Sequence, residues 1–416
     1  MLGLRALPLQ IAVAVILGML LGVLWPAGGA AMQWLGTAFV AAIRMVIIPL
    51  IFCAVTLGSM KMGDDAPRLG RVALIAFVWF YLASTVALVV GLVLDGVFHP
   101  GLGMHLVANA EVQARVAAGV DWPRFLLDLI PSNIVAAMAQ QKVLPTLVFA
   151  VLFGLGLSRI GQARARPMAE VLSAVLAVMF KITNWIVALT PLAVFGVIAW
   201  LAATQGLATV MTLAKLVVVM YLGYASFALL CIAGFSLTTE RPLWVAKRMA
   251  GPALIGFVTR SSEVALPLHI ERLEEIGVPN RIVSVVLPLG YSFNLDGSAV
   301  YISLATTFIA EAYGIHLSMP QLLTILGTGL IASKGVANVP SGSLVALSTV
   351  LLALGLPPES VALIAGIDVF LDMGRTGMNV FGNTLSVLVA RKLTEAPASE
   401  PEPLLAPQTG GGNSLD

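Results

Sequence analysis

The run from Val361 to Leu393 is long enough to cross a lipid bilayer as a helix, yet it carries Asp368, Asp372, Arg375, Thr376, Asn379 and Asn383. At about 100° per residue these six side chains fall within an arc of about 100°. Phe370, Leu371, Met373, Val380 and Phe381 occupy the other side of the same helix. Each charge near a bilayer centre costs about 2.5–3.5 kcal/mol on insertion scales, so three on one helix need partners or a ligand. The fold is therefore limited to a bundle that screens this face from lipid.

The rest of the chain can supply such a bundle. Of its 416 residues 59% are hydrophobic and 11% charged, more apolar surface than a soluble protein of this length could hide. The net charge of +2 leaves no electrostatic footprint for nucleic acid. Cys53 and Cys231 each lie in an apolar run, and no Cys/His cluster exists, so neither a metal nor a disulfide framework nor any cofactor is expected.

Apolar spans are expected at Pro8–Trp25, 32–60, 73–98, 168–204 and 213–237, with a polar loop over 99–124. The small residues after Trp25 could pass for a signal-peptide cleavage site, but the topology works only if the first segment stays. A fourth region, 125–158, is interrupted at 131–133 and 140–142 and reads as a multi-part helix. Beyond residue 250 the texture changes. Pro252–Glu275 is too polar and broken to span, and 282–310 is interrupted by Asn294-Leu295-Asp296-Gly297. Residues 321–353 contain SKGVANVPSGS, and the Pro-, Glu- and Gly-rich tail over 394–416 reads as disordered.

Fourteen of the 23 Lys and Arg fall on one side of this plan: Arg5 and the connections around Lys61–Arg71, Arg159–Arg166, Arg241–Arg248, Arg272–Arg281 and Arg391–Lys392. The opposite loops hold only Arg115 and Arg124. The expected architecture is an all-α polytopic membrane protein with eight transmembrane helices, two re-entrant helical hairpins entering from opposite faces, and both termini cytoplasmic.

Each hairpin precedes a span dense in polar residues, which suggests an inverted repeat meeting near the midplane. Broken backbone at that depth is tolerated only where it is buried or lines a cavity, and paired interruptions mark a transporter's substrate and ion site. Carbonyls beside Asn294 and Asp296 suit a small cation; free N–H groups near Ser261-Ser262 and Val339-Pro340 suit a carboxylate. One Asp and one Arg a turn apart complement a zwitterion with an extra carboxylate. Arg375 favours an acidic substrate, with a planar fork that matches a carboxylate, and Asp372 favours an amino acid over a plain C4-dicarboxylate.

TRSSEVALP, LPLGYSFNLDGSAVY, SKGVANVPSGS and GIDVFLDMGRTGMNVFGN resemble, in order and spacing, the four signature regions of the dicarboxylate/amino acid:cation symporter (glutamate transporter) family. The resemblance implies a homotrimer in a bacterial inner membrane and an elevator mechanism. It implies a scaffold from 1–69 and 99–206 and a transport domain from 70–98 and 207–393. By motif position, Asp372 would meet the substrate's amino group, Arg375 its side-chain carboxylate, and Asn379 with Ser261 and Ser262 its α-carboxylate. Thr376 and Ser298 would line the pocket, and Val339 with Gly342 would belong to the gating hairpin.

The departures bear on the coupling ion. Sodium-coupled relatives carry a second Asp where this chain has Asn383, and a Tyr, Thr and Ser in the third span where it has Phe80, Ala83 and Ser84. Asn294 and Asp296 remain, but oxygen donors are lost. The wording YSFNLDGS, SSE and SKG resembles the bacterial proton-coupled branch. Protons are thus the expected coupling ion, with sodium as the alternative and Glu263, Asp296 and Asp368 as candidate carriers. The carrier position of animal relatives is Ile302 here. Arg260 would either neutralise a carboxylate or meet the cytoplasm, Lys334 would be a salt-bridge partner or a surface group, and His269 reads as a cytoplasmic loop residue. An intramembrane protease is disfavoured, because Ser341 and Ser343 lack a His partner and Asp368 and Asp372 share one helix.

Overall fold

A computed structural model describes residues 7–104, 106, 112, 116, 123, 127–204, 206–334 and 342–394, with backbone alone at 61–70 among others. Every regular element among the described residues is helical. α1 (Leu7–Leu24) and the short α2 (Pro26–Ala30) lead into α3 (Gln33–Phe98), one helix of 66 residues. The spans expected at 32–60 and 73–98 are therefore continuous. Polar side chains end a membrane crossing without ending a helix, and Lys61, Met62, Ala66, Arg68 and Arg71 are good helix formers that outlast Gly63, Pro67 and Gly70.

α4 (Ile134–Ala139) and α5 (Val143–Arg159) flank the expected interruption at 140–142, where Gln141 turns through φ 59°. The fifth span divides at Leu189 into α6 (Gln162–Ala188) and α7 (Thr190–Thr204), because Pro191 has no amide to continue the ladder. α8 (Leu207–Ser236) follows.

The outer surface of this bundle is apolar at helical period. Along α3, Leu74, Val78, Leu82, Val86, Val89, Val93 and Val97 are exposed, while Ala76, Phe80, Ala83, Ala87 and Leu88 face in. Such an outward stripe suits lipid and not water. Among the described residues two stretches, Arg71–Phe98 and Thr209–Ser236, are long and apolar enough to cross a membrane by length and composition. At 1.5 Å per residue each exceeds a hydrocarbon core of about 30 Å.

In the second half, α9 (Pro242–Thr259) and α10 (Ser262–Glu275) fold back on each other across a tip of two residues. Arg260 takes the left-handed conformation there (φ 54°) and Ser261 is extended. The segment starts ten residues before the expected Pro252, at Pro242, whose fixed φ suits the first helical position. α11 (Asn280–Phe293) then breaks at Asn294-Leu295 before α12 (Asp296–Ala312). α13 (Met319–Lys334) and α14 (Gly342–Ala353) follow; the tip between them, including Val339 and Ser341, lies outside the described residues, as does the tail from 395. A 3-10 turn (Pro358–Ser360) and α15 (Val361–Ala365) precede α16 (Asp368–Thr394). The last span is thus also broken, at Gly366-Ile367, directly before its first aspartate. Among the described residues, a pair of contacting helices followed by a broken helix occurs twice.

Two packed groups emerge. α1 runs along α7 at close range, where a Cβ on Gly18 would stand 2.6 Å from the Phe195 carbonyl oxygen. The first half of α3 packs on α5, α6 and α7, with Phe39, Cys53, Leu157, Leu172 and Ile186 at the contacts. Its second half packs instead on α11 and α12, where Gly91 lies against Val300 and Leu304. α16 sits inside a ring of α8, α9, α11, α12 and α3. Asp368 in its first turn and Arg391 with Lys392 in its last complement the helix dipole.

Candidate functional site

The polar face of α16 is buried throughout: Asp368, Asp372, Arg375, Thr376, Asn379 and Asn383 are each at most 5% exposed. Tyr221 and Tyr224, three apart on α8, donate to the carbonyls of Phe370 (2.8 Å) and Leu371 (3.2 Å) and tie down the first turn after the break. Gly374 admits the Tyr224 ring, which would lie 2.6 Å from a Cβ at that position.

The first of two clusters is rich in charge. The Arg375 guanidinium pairs with Asp372 Oδ1 and reaches Asp368 Oδ1 at 3.4 Å, with the Tyr301 ring 4.7 Å below it. Arg260, buried at the α9–α10 tip, stands 4.0 Å from Asp372 Oδ2. That oxygen is buried and has no hydrogen-bond partner among the described residues. One turn along, Asn379 Oδ1 accepts from the Ser298 amide (3.3 Å), its Nδ2 donates to Ser298 Oγ (3.4 Å), and Ser343 Oγ joins at 3.2 Å. Gly342 opens α14 beside Ser343, and Thr376 lies against Gly256 of α9. Ser262 is buried at the start of α10 and Ser261 half-buried. The cluster can offer a guanidinium fork, a carboxylate acceptor and hydroxyl or amide donors, all buried close together.

The second cluster, two turns further along, is knit by its own hydrogen bonds, with Asn294 Oδ1 left without one among the described residues. Asn294 Nδ2 donates to Asp296 Oδ2 (2.9 Å), Ser386 Oγ (3.1 Å) and Asn383 Oδ1 (3.4 Å). Asn383 Nδ2 in turn donates to the carbonyls of Asn379 (2.8 Å) and Asn294 (3.2 Å). Ser84 Oγ of α3 donates to Asp296 Oδ1 at 3.4 Å, and Lys334 Nζ from the end of α13 donates to Ser84 Oγ (2.6 Å) and to the Phe80 carbonyl (3.0 Å). Gly290 and Gly382 leave room for this packing; a Cβ at Gly382 would lie 2.7 Å from Asp296 Oδ2.

Glu263 is exposed on this chain, because Ser262, Ala265 and His269 form the inward face of α10 and position 263 points away. One expectation is overturned. His269 is not a loop residue: it is fully buried, with Nδ1 3.0 Å from the Tyr291 hydroxyl and Nε2 3.0 Å from the Thr384 hydroxyl. The sequence offered a signal for it, since Ala265, His269 and Leu273 recur every four residues. Tyr221, Tyr224 and Tyr301 were also missed, aromatic positions in apolar helices that reveal their role only once α16 is packed beside them. Arg260 takes the place beside a carboxylate, and Lys334 is not a surface group: it is buried and reaches Asp296 through Ser84.

The sequence profile of the sodium:dicarboxylate symporter family matches residues 7–393. The chain belongs to that family. It is a family of membrane transporters and not of enzymes. Among curated relatives of the symporter, the proton/glutamate-aspartate symporter of Escherichia coli (strain K12) is 37% identical over 401 residues, covering 92% of each chain. The C4-dicarboxylate transport protein of Bacillus subtilis (strain 168) is 35% identical over 401 residues and 93% of each chain. The C4-dicarboxylate transport protein of Anaeromyxobacter dehalogenans (strain 2CP-1 / ATCC BAA-258) is 35% identical and spans 98% of each.

Proposed function

We propose that this symporter imports an acidic amino acid, glutamate or aspartate, coupled to protons. The observation that carries the substrate half is Asp372 Oδ2, a buried carboxylate oxygen without a hydrogen bond among the described residues, set beside Arg375. An ammonium group satisfies that oxygen, and a carboxylate replaces an aspartate on the Arg375 fork; a buried acceptor left unmade is costly. Asn379, Ser298 and the tip serines Ser261 and Ser262 receive the α-carboxylate. Thr376 lines the pocket, and Val339 with Gly342 belongs to the gate.

The second cluster supports protons as the driving ion. Sodium needs several oxygens to replace its hydration shell, yet the Asn294 and Asn379 carbonyls already accept the Asn383 amide. With Glu263 at the surface, the buried Asp296 and Asp368 are the carriers of choice. The two packed groups support an elevator: α1, α2, the first half of α3 and α4–α7 as scaffold, the remainder as the moving body. Eight spans with two hairpins, cytoplasmic termini, a homotrimer and the bacterial inner membrane complete this reading.

A second reading has its own observation. Arg260 stands near enough to Asp372 to neutralise it, leaving Arg375 for a C4-dicarboxylate, the cargo in the names of two of the relatives. Uptake of labelled glutamate, aspartate and succinate into proteoliposomes under an inward proton gradient separates the two. Glutamate or aspartate should accumulate and displace succinate; accumulation of succinate alone would install the second reading.

A further inference from the structure

The Lys334 side chain has a setting unusual for a lysine. It is 7% exposed, it extends from the last residue of α13, and it crosses to α3. Its ammonium lies 3.0 Å from the Phe80 carbonyl oxygen and 2.6 Å from Ser84 Oγ, with the Tyr81 ring 5.1 Å away. Through the one Ser84 hydroxyl it is linked to Asp296 Oδ1, and Asp296 is 1% exposed. Beside Asp296 the Asn294 Oδ1 atom is buried with no hydrogen-bond partner among the described residues.

A backbone carbonyl, a hydroxyl and a carboxylate buried side by side form the donor set that an alkali cation takes, hard oxygen ligands around a single positive charge. An ammonium supplies the same charge to the same oxygens through N–H groups. It differs in one respect: it is covalently attached and never leaves.

We infer that Lys334 is a tethered cation that fills an intramolecular monovalent-cation site, and so makes the Asp296 region independent of sodium. The residue acts as an ion-specificity determinant. Without its charge, Asp296 is a buried carboxylate lacking compensation, and a small cation from solution takes its place. The inference rests on the proposed reading of the chain as a symporter not driven by sodium, but it predicts a difference between two proteins that can be measured whatever drives the wild type.

The test uses the full-length purified protein and its Lys334→Ala variant, with NaCl compared against choline chloride at equal ionic strength and fixed pH. Three readouts apply: equilibrium binding of radioactive sodium, thermal stability, and affinity for labelled glutamate and aspartate. Lys334→Ala should bind one sodium ion more per chain than the wild type. NaCl should raise its melting temperature, because a cation bound only by the folded state stabilises it. Its substrate affinity should fall about tenfold in choline and recover in NaCl. The double variant Lys334→Ala/Asp296→Asn, with both charges removed, should show no sodium response. If the single variant folds only in NaCl, or only as the double variant, that also supports the inference. A single variant with no extra sodium and no stabilisation by NaCl would overturn it, as would failure of both variants to fold, which would make Lys334 a packing anchor. A wild type that itself binds sodium would count against proton coupling while leaving the extra ion in the variant as the deciding number.

Discussion

The two polar clusters hang on the same helix, two turns apart, and they are finished differently. Around Asp372 and Arg375 two aspartates and two arginines converge with balanced charge, yet Asp372 Oδ2 has no hydrogen bond among the described residues. Around Asn294, Asn383 and Asp296 the groups close on one another except at Asn294 Oδ1, with an amide donating into two carbonyls and Lys334 answering the aspartate through Ser84. We read the first as a place for a ligand and the second as a place where the Lys334 ammonium stands for one. The difference teaches that burial of charge does not by itself mark a binding site; what matters is which partners the protein already provides.

The strongest way to break this contrast is Arg375→Ala. Truncating one partner of a buried, hydrogen-bonded charge pair costs about 2–5 kcal/mol, so affinity for acidic substrates should fall about thirtyfold to several thousandfold. Gel filtration should still show the assembly of the wild type. Loss of assembly would make the arginine structural and remove the functional contrast.

Asp372→Asn sharpens the substrate assignment. A charged hydrogen bond contributes about 1.5–3 kcal/mol, so glutamate and aspartate should bind about ten- to a hundredfold more weakly while succinate binds as well or better. Equal loss for all three substrates would mean that Asp372 only orients Arg375.

The carriers come next. Uptake should lose its pH dependence in at least one of Asp296→Asn and Asp368→Asn and keep it in Glu263→Gln, whose parent residue is exposed. A flat profile for the Glu263 variant alone would mean that this surface is covered in the functional assembly.

The smallest effects are expected from packing around the clusters. Gly297→Ala would press a Cβ onto the Arg375 carbonyl oxygen, and overpacking of this kind costs about 1–3 kcal/mol of stability. His269→Leu leaves the Tyr291 and Thr384 hydroxyls unpaired, at about 1–3 kcal/mol, and should lower the melting temperature without moving the pH profile of uptake.

Much of this was legible in the chain itself. The helical character, the interruption at 294–295, the multi-part fourth region and the polar face of α16 follow from hydropathy, helical period and the placement of Gly, Pro and Asn. The family follows from four motifs in register. What the sequence did not disclose has physical causes. The helix through 61–70 is hidden because charge ends a span but not a helix. The break at 366–367 has no Pro or Asn to announce it. The burial of His269 is hidden because the composition of a short polar segment does not say which side is buried; Glu263, six residues away on α10, faces a different side. Lys334 was ambiguous because its partners lie some 250 positions away on α3.

The most direct test of the account imposes sodium and proton gradients one at a time on proteoliposomes that hold the protein, and follows labelled glutamate and aspartate. Concentrative uptake should follow the inward proton gradient without sodium and be absent with an inward sodium gradient at matched pH. Accumulation driven by sodium alone would contradict the reading of the second cluster as a site the protein has closed.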